Sequence, residues 1–345
     1  MLIGYMHYRK NPSALNKAYA FAAVARAEGV DLLYFSPCAV DFNHKTINGY
    51  AYRDGGWAGI TSRFPDVVCN VAAFSGRQAA AAERLGRQVP FTSFSIGDKL
   101  DVYDNLTGSK TFAGYLIPTQ KAVSAAHLLA LAGQYTRTVF KPVAGCQGTD
   151  VCFITKTAGA YTLQTGADQT ALDAAGLAEF AAARLTQRGY IVQPYINCRT
   201  RDGRPYDLRL HVMKGAGGRW AAPFIYPRIS ADGGAACNLS RGGHTTGLAD
   251  FLKSQFGGDG YDVQKYLETF ALQLARHMDD IQRRKYGETL DELGIDAGFD
   301  EQRRLYLYEI NWRPGHPPCM YVDLTVVRSK VRYAMYVAGG GRSTQ

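Results

Sequence analysis

The residues best placed to do chemistry stand near the end of the chain, in Leu305-Tyr306-Leu307-Tyr308-Glu309-Ile310-Asn311-Trp312-Arg313-Pro314-Gly315. Side chains alternate along a strand, so Glu309 and Asn311 share a face at the end of an apolar run. A carboxylate and an amide oxygen so placed suit Mg2+, a hard cation that takes oxygen ligands. The plainer alternative is a strand end whose glutamate pairs with an arginine before a Pro-Gly turn. Upstream, Gly294-Ile295-Asp296-Ala297-Gly298-Phe299 is expected to pair with 304–311 across a short turn, which brings Asp296 near Glu309. Two carboxylates about 4 Å apart at an effective dielectric near 20 repel by about 4 kcal/mol, and a divalent cation removes the conflict.

A second cluster is Val139-Phe140-Lys141-Pro142, followed by Val143-Ala144-Gly145-Cys146-Gln147-Gly148. A lysine at a strand end before a small-residue loop can set one cation and several backbone N–H groups around phosphates. Gly145, Gln147 and Gly148 are the loop positions for that contact. The order of lysine and glycines is the reverse of a Walker A loop, and a surface lysine before a turn explains the same residues. The third cluster is Pro205-Tyr206-Asp207-Leu208-Arg209-Leu210-His211-Val212. Asp207, Arg209 and His211 fall on one face, and Leu208, Leu210 and Val212 on the other. That pattern fits a sheet lining a cleft, and equally a strand with one wet face. Arg209 offers a rigid fork for phosphate or carboxylate, and Arg228 near the end of the next strand adds a second anion contact. Asn238-Leu239-Ser240-Arg241-Gly242-Gly243 reads as an adaptable loop or a surface turn. A Cys146/His211 nucleophile pair is disfavoured, since nothing in the sequence orders the two together.

The elements that must hold these residues are those of an α/β protein with strands and helices interleaved. Residues 1–98 read as an N-terminal α/β domain, with strands at 2–5, 31–35 and 67–71, a helix over 14–28 and a turn-bearing excursion at 50–57. Residues 99–190 form a central part, with a helix to about 131, a strand over 137–142, strand-like pieces at 150–155 and 160–164, and a helix over 170–188. Residues 191–345 form a C-terminal part, whose strand at 190–196 leads into strands at 206–213 and 220–229. Val263, Leu267, Phe270, Leu274, Met278 and Ile281 recur at helical spacing and predict a long amphipathic helix. A strand pair and a helix from about 320 close the chain. At 345 residues and 46% apolar content there is material for two or three domains with real cores. The net charge of +9 is spread along the chain, which suits a phosphate-bearing ligand better than nucleic acid. Seven scattered cysteines, with no CxxC, argue against a disulfide framework and fit a reducing cytoplasm. No apolar run reaches a membrane-spanning length.

Taken in order, these segments resemble the ATP-grasp superfamily, and within it the YheC/YheD-type, spore-coat-associated group. The resemblance rests on Gly97-Asp98-Lys99-Leu100, on Phe140-Lys141-Pro142 with its loop, on Tyr206-Asp207-Leu208-Arg209 through Gly218-Arg219-Trp220 to Arg228 and 238–243, and on Gly294-Ile295-Asp296 with Tyr308-Glu309-Ile310-Asn311 and Arg313-Pro314-Gly315. It covers about 97–320 and implies an ATP-grasp fold behind an N-terminal pre-ATP-grasp domain. It further implies that Lys99 and Lys141 contact the nucleotide and that Gln193, Tyr195 and Ile196 form the hinge beside adenine. Asp296, Glu309 and Asn311 match the Mg2+ ligands. Arg209 would stabilise the transferred phosphoryl group, with Arg228 as a second catalytic cation, and Asp207 and Arg313 would face substrate. The chain departs from the pattern at two places. Gln193 stands where many ATP-grasp enzymes carry Glu, and Asp150 follows the loop where a further glycine is commoner. The implied activity is ATP- and Mg2+-dependent ligation of a small-molecule or peptide carboxylate to an amine through an acyl phosphate. A phosphotransferase of the same fold, or a nucleotide-binding coat-associated protein without turnover, are the alternatives.

Overall fold

The computed structural model describes residues 1–145, 150–230, 242–315 and 320–341. The N-terminal part holds β1 (Leu2–Met6), α1 (Asn16–Ala27), β2 (Asp31–Phe35), β3 (Val40–Asp41), β4 (Thr46–Arg53), β5 (Gly56–Arg63), β6 (Val67–Asn70) and α2 (Gly76–Gly86). The sheet runs β3-β4-β2-β1-β6, with β5 paired to β4. β1 lies parallel to β2 on one side and β6 on the other. In α1, Ala18, Phe21, Ala22 and Ala25 are buried at helical spacing. The excursion expected at 50–57 is a hairpin of β4 and β5. Its turn residues Asp54 and Gly55 both have positive φ, the conformation a two-residue hairpin loop demands.

The central part holds α3 (Lys99–Thr107), β7 (Gln120–Ala122), α4 (Ala125–Gln134), β8 (Arg137–Pro142), β9 (Cys152–Thr157), β10 (Ala160–Thr165), β11 (Asp168–Leu172), α5 (Ala174–Leu185) and β12 (Tyr190–Pro194). The strands form an antiparallel sheet in the order β11-β10-β9-β8-β12-β7. Phe140, Ile154, Leu163, Tyr190 and Val192 pack under Leu128 and Leu131 of α4 and Leu177 of α5. Two expectations shift here. The helix expected over 170–188 starts at Ala174, because 168–172 pairs with β10 and the Asp173 side chain caps the helix by accepting from Gly176 N at 2.8 Å. The strand read as leading into the C-terminal part is β12, which sits between β8 and β7 in the central sheet.

The C-terminal part holds β13 (Tyr206–Lys214), β14 (Trp220–Ile229), α6 (Leu248–Phe256), α7 (Gly260–Tyr286), β15 (Glu292–Phe299), β16 (Leu305–Trp312) and α8 (Met320–Ala338). The antiparallel sheet runs β14-β13-β15-β16. Leu208, Leu210, Val212, Leu293, Ile295 and Ala297 face Leu267, Phe270, Leu274 and Met278 of α7. The other face is polar and mostly buried: Arg209, His211, Glu292 and Asp296 are each under a tenth exposed. Over part of this polar face lies α8, whose Lys330 sits 2.6 Å from Glu292. The same helix packs Val327, Val331 and Ala334 against Phe21, Ala22 and Ala25 of α1, so the chain's last helix is built into its first domain. Among the described residues no helix is long and apolar enough to cross a membrane.

Candidate active site

A cavity of about 300 Å³ opens between the central and C-terminal sheets. Lys141 and Gly145 enter it from the end of β8, Ile191 and Gln193 from β12, Lys99 and Tyr103 from α3, and Tyr308, Glu309 and Asn311 from β16. Alternation explains the strand contributions, since 191 and 193 share one face of β12 and 309 and 311 one face of β16. Lys99 is the first residue of α3, behind a capping box in which Asp98 and Asp101 satisfy each other's backbone N–H groups. Gly97 has φ of +85°, and a Cβ there would lie 2.4 Å from Asp101 Oδ2, so the approach to Lys99 requires glycine.

The two lysines differ in setting. Lys99 Nζ lies 3.2 Å from Glu309 Oε1 and donates to Gly145 O at 2.9 Å. It thus spans the carboxylate of one sheet and the small-residue loop of the other. Burial pulls the Lys141 ammonium below its ordinary pKa, with Glu309 opposing the shift and Lys99 adding to it. An anion arriving beside Lys141 would favour its charged form.

Behind Glu309 the hairpin places Asp296 directly opposite it, through a register shift between Asp296 and Ala297 that skips Tyr308. Asp296 is the centre of a buried quartet. Its Oδ1 accepts from Arg209 Nε at 2.5 Å. Its Oδ2 receives the second Arg209 nitrogen at 3.2 Å, Arg228 at 3.1 Å and Asn311 Nδ2 at 3.1 Å. Arg228 closes a two-pronged contact on Asp207 at 2.6 and 2.8 Å. Two guanidinium groups and two carboxylates balance in charge. Burial raises Asp207 above the ordinary carboxylate value, its arginine notwithstanding. Burial pushes Asp296 up as well, but Arg209 and Arg228 outweigh it and hold that carboxyl low. Gly294 makes room for this packing, since a Cβ there would lie 2.5 Å from Pro314 Cβ and 3.1 Å from an Arg209 terminal nitrogen.

Of the residues singled out from sequence, Lys99, Lys141, Gly145, Gln193, Glu309 and Asn311 meet at the cavity. Asp207, Arg209, Arg228 and Asp296 are not in its described lining; Asp296 stands one hydrogen bond behind Asn311, and the rest of the quartet lies beyond it. Tyr195 also lies off the lining: its ring packs edge-on to Phe153 at 5.8 Å, with Arg137 stacked over it. Ile196 packs on the C-terminal core. Arg313 sits over Trp312, its guanidinium carbon 3.5 Å from the ring centroid. Burial lowers its pKa to about 10 against the pull of Asp291 and Glu292. Its Nε and one terminal nitrogen have no partner among the described residues. Gln147, Gly148 and 238–241 lie outside the described residues. Asp150 points away from the cavity to Arg184 and Arg188. Thr119 and Tyr103 line the cavity without any local signal to mark them, because what places them there is contact with distant segments.

Residues 88–337 match the family described as YheC/D like ATP-grasp. The endospore coat-associated protein YheD of Bacillus subtilis (strain 168) is 25% identical over 324 residues, covering 88% of this chain and 70% of YheD. Among solved structures, a RimK domain ATP-grasp protein from Sphaerobacter thermophilus DSM 20745 superposes with a TM-score of 0.57 at 10% identity, covering 97% of this chain and 100% of that one. D-alanyl-alanine synthetase A from Vibrio cholerae O1 biovar eltor str. N16961 gives 0.57 at 13% identity, covering 99% and 98%. At these identities the structural likeness carries the fold, and the fold is ATP-grasp. The family match spans well over half of the chain and includes both sheets and every cavity residue named above, so the chain belongs to the YheC/D-like ATP-grasp family.

Proposed function

We propose that this protein is an ATP-dependent carboxylate–amine ligase that forms an amide or peptide bond through an acyl phosphate. Nucleotide and Mg2+ would lie between the central and C-terminal sheets. The observation that carries this reading is the convergence of Lys99, Lys141, Glu309 and Asn311 on one cavity, from both sheets. The donor set fits a hard divalent ion. Among the described residues no three His, Cys, Asp or Glu side chains are placed to hold a metal ion, so the amide oxygen would have to contribute. With its Nδ2 committed to Asp296, Asn311 has its oxygen at the other end of the amide. Glu309 and Asn311 would hold the ion, and Asp296 would join them only by exchanging one of its contacts with Arg209, Arg228 or Asn311. When bound, the ion supplies neutralisation of charge on the phosphate oxygens.

The chain's own part is positioning and charge. Lys141 would bind phosphate from the end of β8, and Lys99 would exchange its Glu309 and Gly145 contacts for phosphate oxygens. Arg209 and Arg228, held by Asp296 and Asp207 behind Asn311, would reach the transferred group only by exchanging part of those contacts for its oxygens. A substrate carboxylate oxygen would attack the γ-phosphorus and ADP would leave. An amine nitrogen would then attack the acyl carbon, phosphate would leave with the C–O bond, and the amine would give up a proton. The similarity in fold to D-alanyl-alanine synthetase A supports an amide-forming reaction. The test is a screen of amino acids and peptides for ADP release in the presence of hydroxylamine. An acyl phosphate is intercepted as a hydroxamate in step with ADP. A stable phosphorylated product with no hydroxamate would replace this reading by phosphotransfer.

A further inference from the structure

At its β12 side the cavity carries a hydrogen-bond relay that can run in one direction. The Ile117 carbonyl can only accept, so the Thr119 hydroxyl at 2.8 Å must be its donor. That contact uses the hydroxyl's proton. Thr119 Oγ1 can then meet the Gln193 amide, 2.6 Å away, only as an acceptor. The amide end against Thr119 is therefore the nitrogen, which assigns the orientation of Gln193 by chemistry. Its oxygen is the end with no hydrogen-bond partner among the described residues. Thr119 and Gln193 both line the cavity. Gln193 is 7% exposed, and its backbone is paired with Val139 of β8, so the side chain has little room to swing elsewhere.

We infer that Thr119 is a positioning residue that fixes Gln193 as an acceptor and so makes the cavity select a purine with an exocyclic 6-amino group over its 6-oxo counterpart. This rests on the reading of the cavity as a nucleotide site. A glutamine amide that turns freely can donate or accept, and would serve either purine. A glutamate can only accept. The relay gives Gln193 the acceptor character that a carboxylate has on its own. To donate to a 6-oxo group, Gln193 would have to turn over and present its oxygen to Thr119. The hydroxyl would then either face it as a second acceptor or give up Ile117 O, leaving a buried carbonyl unfilled. Losing one such bond corresponds to roughly a tenfold preference.

The test measures dissociation constants of ATP and ITP, each with Mg2+, by calorimetry on the full chain and three variants. Wild type should favour ATP about tenfold. Thr119→Val keeps the shape and removes the relay, and should bring the ratio to within about threefold of unity. Thr119→Ser keeps the hydroxyl and should restore the wild-type ratio. Gln193→Glu accepts without help and should hold the preference for ATP. Equal binding of the two nucleotides by wild type, or an unchanged ratio in Thr119→Val, overturns the role of Thr119 and leaves the nucleotide site standing. Loss of selectivity in Thr119→Ser, or in Gln193→Glu, also counts against it. Folded wild-type protein that binds neither nucleotide overturns the nucleotide reading itself, and this inference with it.

Discussion

Replacing Asp296 by Asn tests whether the quartet is one electrostatic unit. The two side chains have nearly the same volume, so packing is preserved and the change is one of charge. Oδ2 of Asp296 receives donors from Arg209, Arg228 and Asn311, whereas Oδ1 receives Arg209 Nε. An asparagine should therefore keep its oxygen where three donors converge and set its own NH2 against Arg209 Nε. That leaves one donor facing a donor, and two guanidinium groups sharing only Asp207. All three charged side chains around it are at least about five-sixths buried, so water cannot make up the loss. Breaking a buried pair by removing one partner costs about 3–5 kcal/mol. At about 2.1 cal/mol/K per residue, a chain of 345 residues loses roughly 4–7 °C in Tm for that cost. Scanning calorimetry reads it directly. Removing a cation as well, in Asp296→Asn with Arg228→Met, should restore the balance, and the pair should cost at least about 1 kcal/mol less than the sum of the single changes. A fall of under 1 °C in the single variant, or strict additivity in the pair, would refute the coupled quartet.

Other outcomes follow from the same geometry. Lys141→Ala should weaken ATP binding far more than adenosine binding, since the lysine stands beside the small-residue loop at the end of β8; calorimetry with both ligands checks this, and equal loss rules out a phosphate contact. Gly294→Ala should cost about 1–3 kcal/mol in urea unfolding, because the new Cβ meets the rigid Pro314 ring and overpacks the site; a neutral result would show that the ring can yield. Burial works against the Glu292 carboxylate, but Lys330 and His211 outweigh it and hold its pKa low. A depressed carboxyl contributes stability that is whole above the unfolded pKa, about 4.3, and is lost as pH falls through the folded value. Wild-type protein should thus lose stability below about pH 4 more steeply than Glu292→Gln, and parallel urea midpoints across that range would contradict the linkage.

Much of the site was legible along the chain because its signals are local. Heptad-like spacing from Val263 to Ile281 marks α7, since a helix repeats its face every three to four residues. The apolar run in 305–311 and the short turn before it mark the hairpin that brings Asp296 near Glu309, but simple counting from the turn would pair Asp296 with Tyr308, and a one-residue register shift between Asp296 and Ala297, visible only in the fold, sets it opposite Glu309. Strand-end placement offered Lys141 equally as a phosphate contact and as a surface lysine before a turn, and the fold sets it at the cavity. The rest needed the folded chain. Arg209 and Arg228 read as open anion contacts, yet in the fold they spend their forks on Asp296 and Asp207, a partition decided only when β13 lies between β14 and β15. Thr119 and Gln193 are 74 residues apart, and Arg332 reaches Glu28 across 304. Neither pair leaves a trace in local periodicity, which records which face a residue takes and not what meets that face. The donor types and their order along the strands are written in the residues; which charges cancel, which remain at the cavity and which way an amide points follow from how the sheets pack. Pairing and desolvation depend on distance in space, and distance in space is set by that packing.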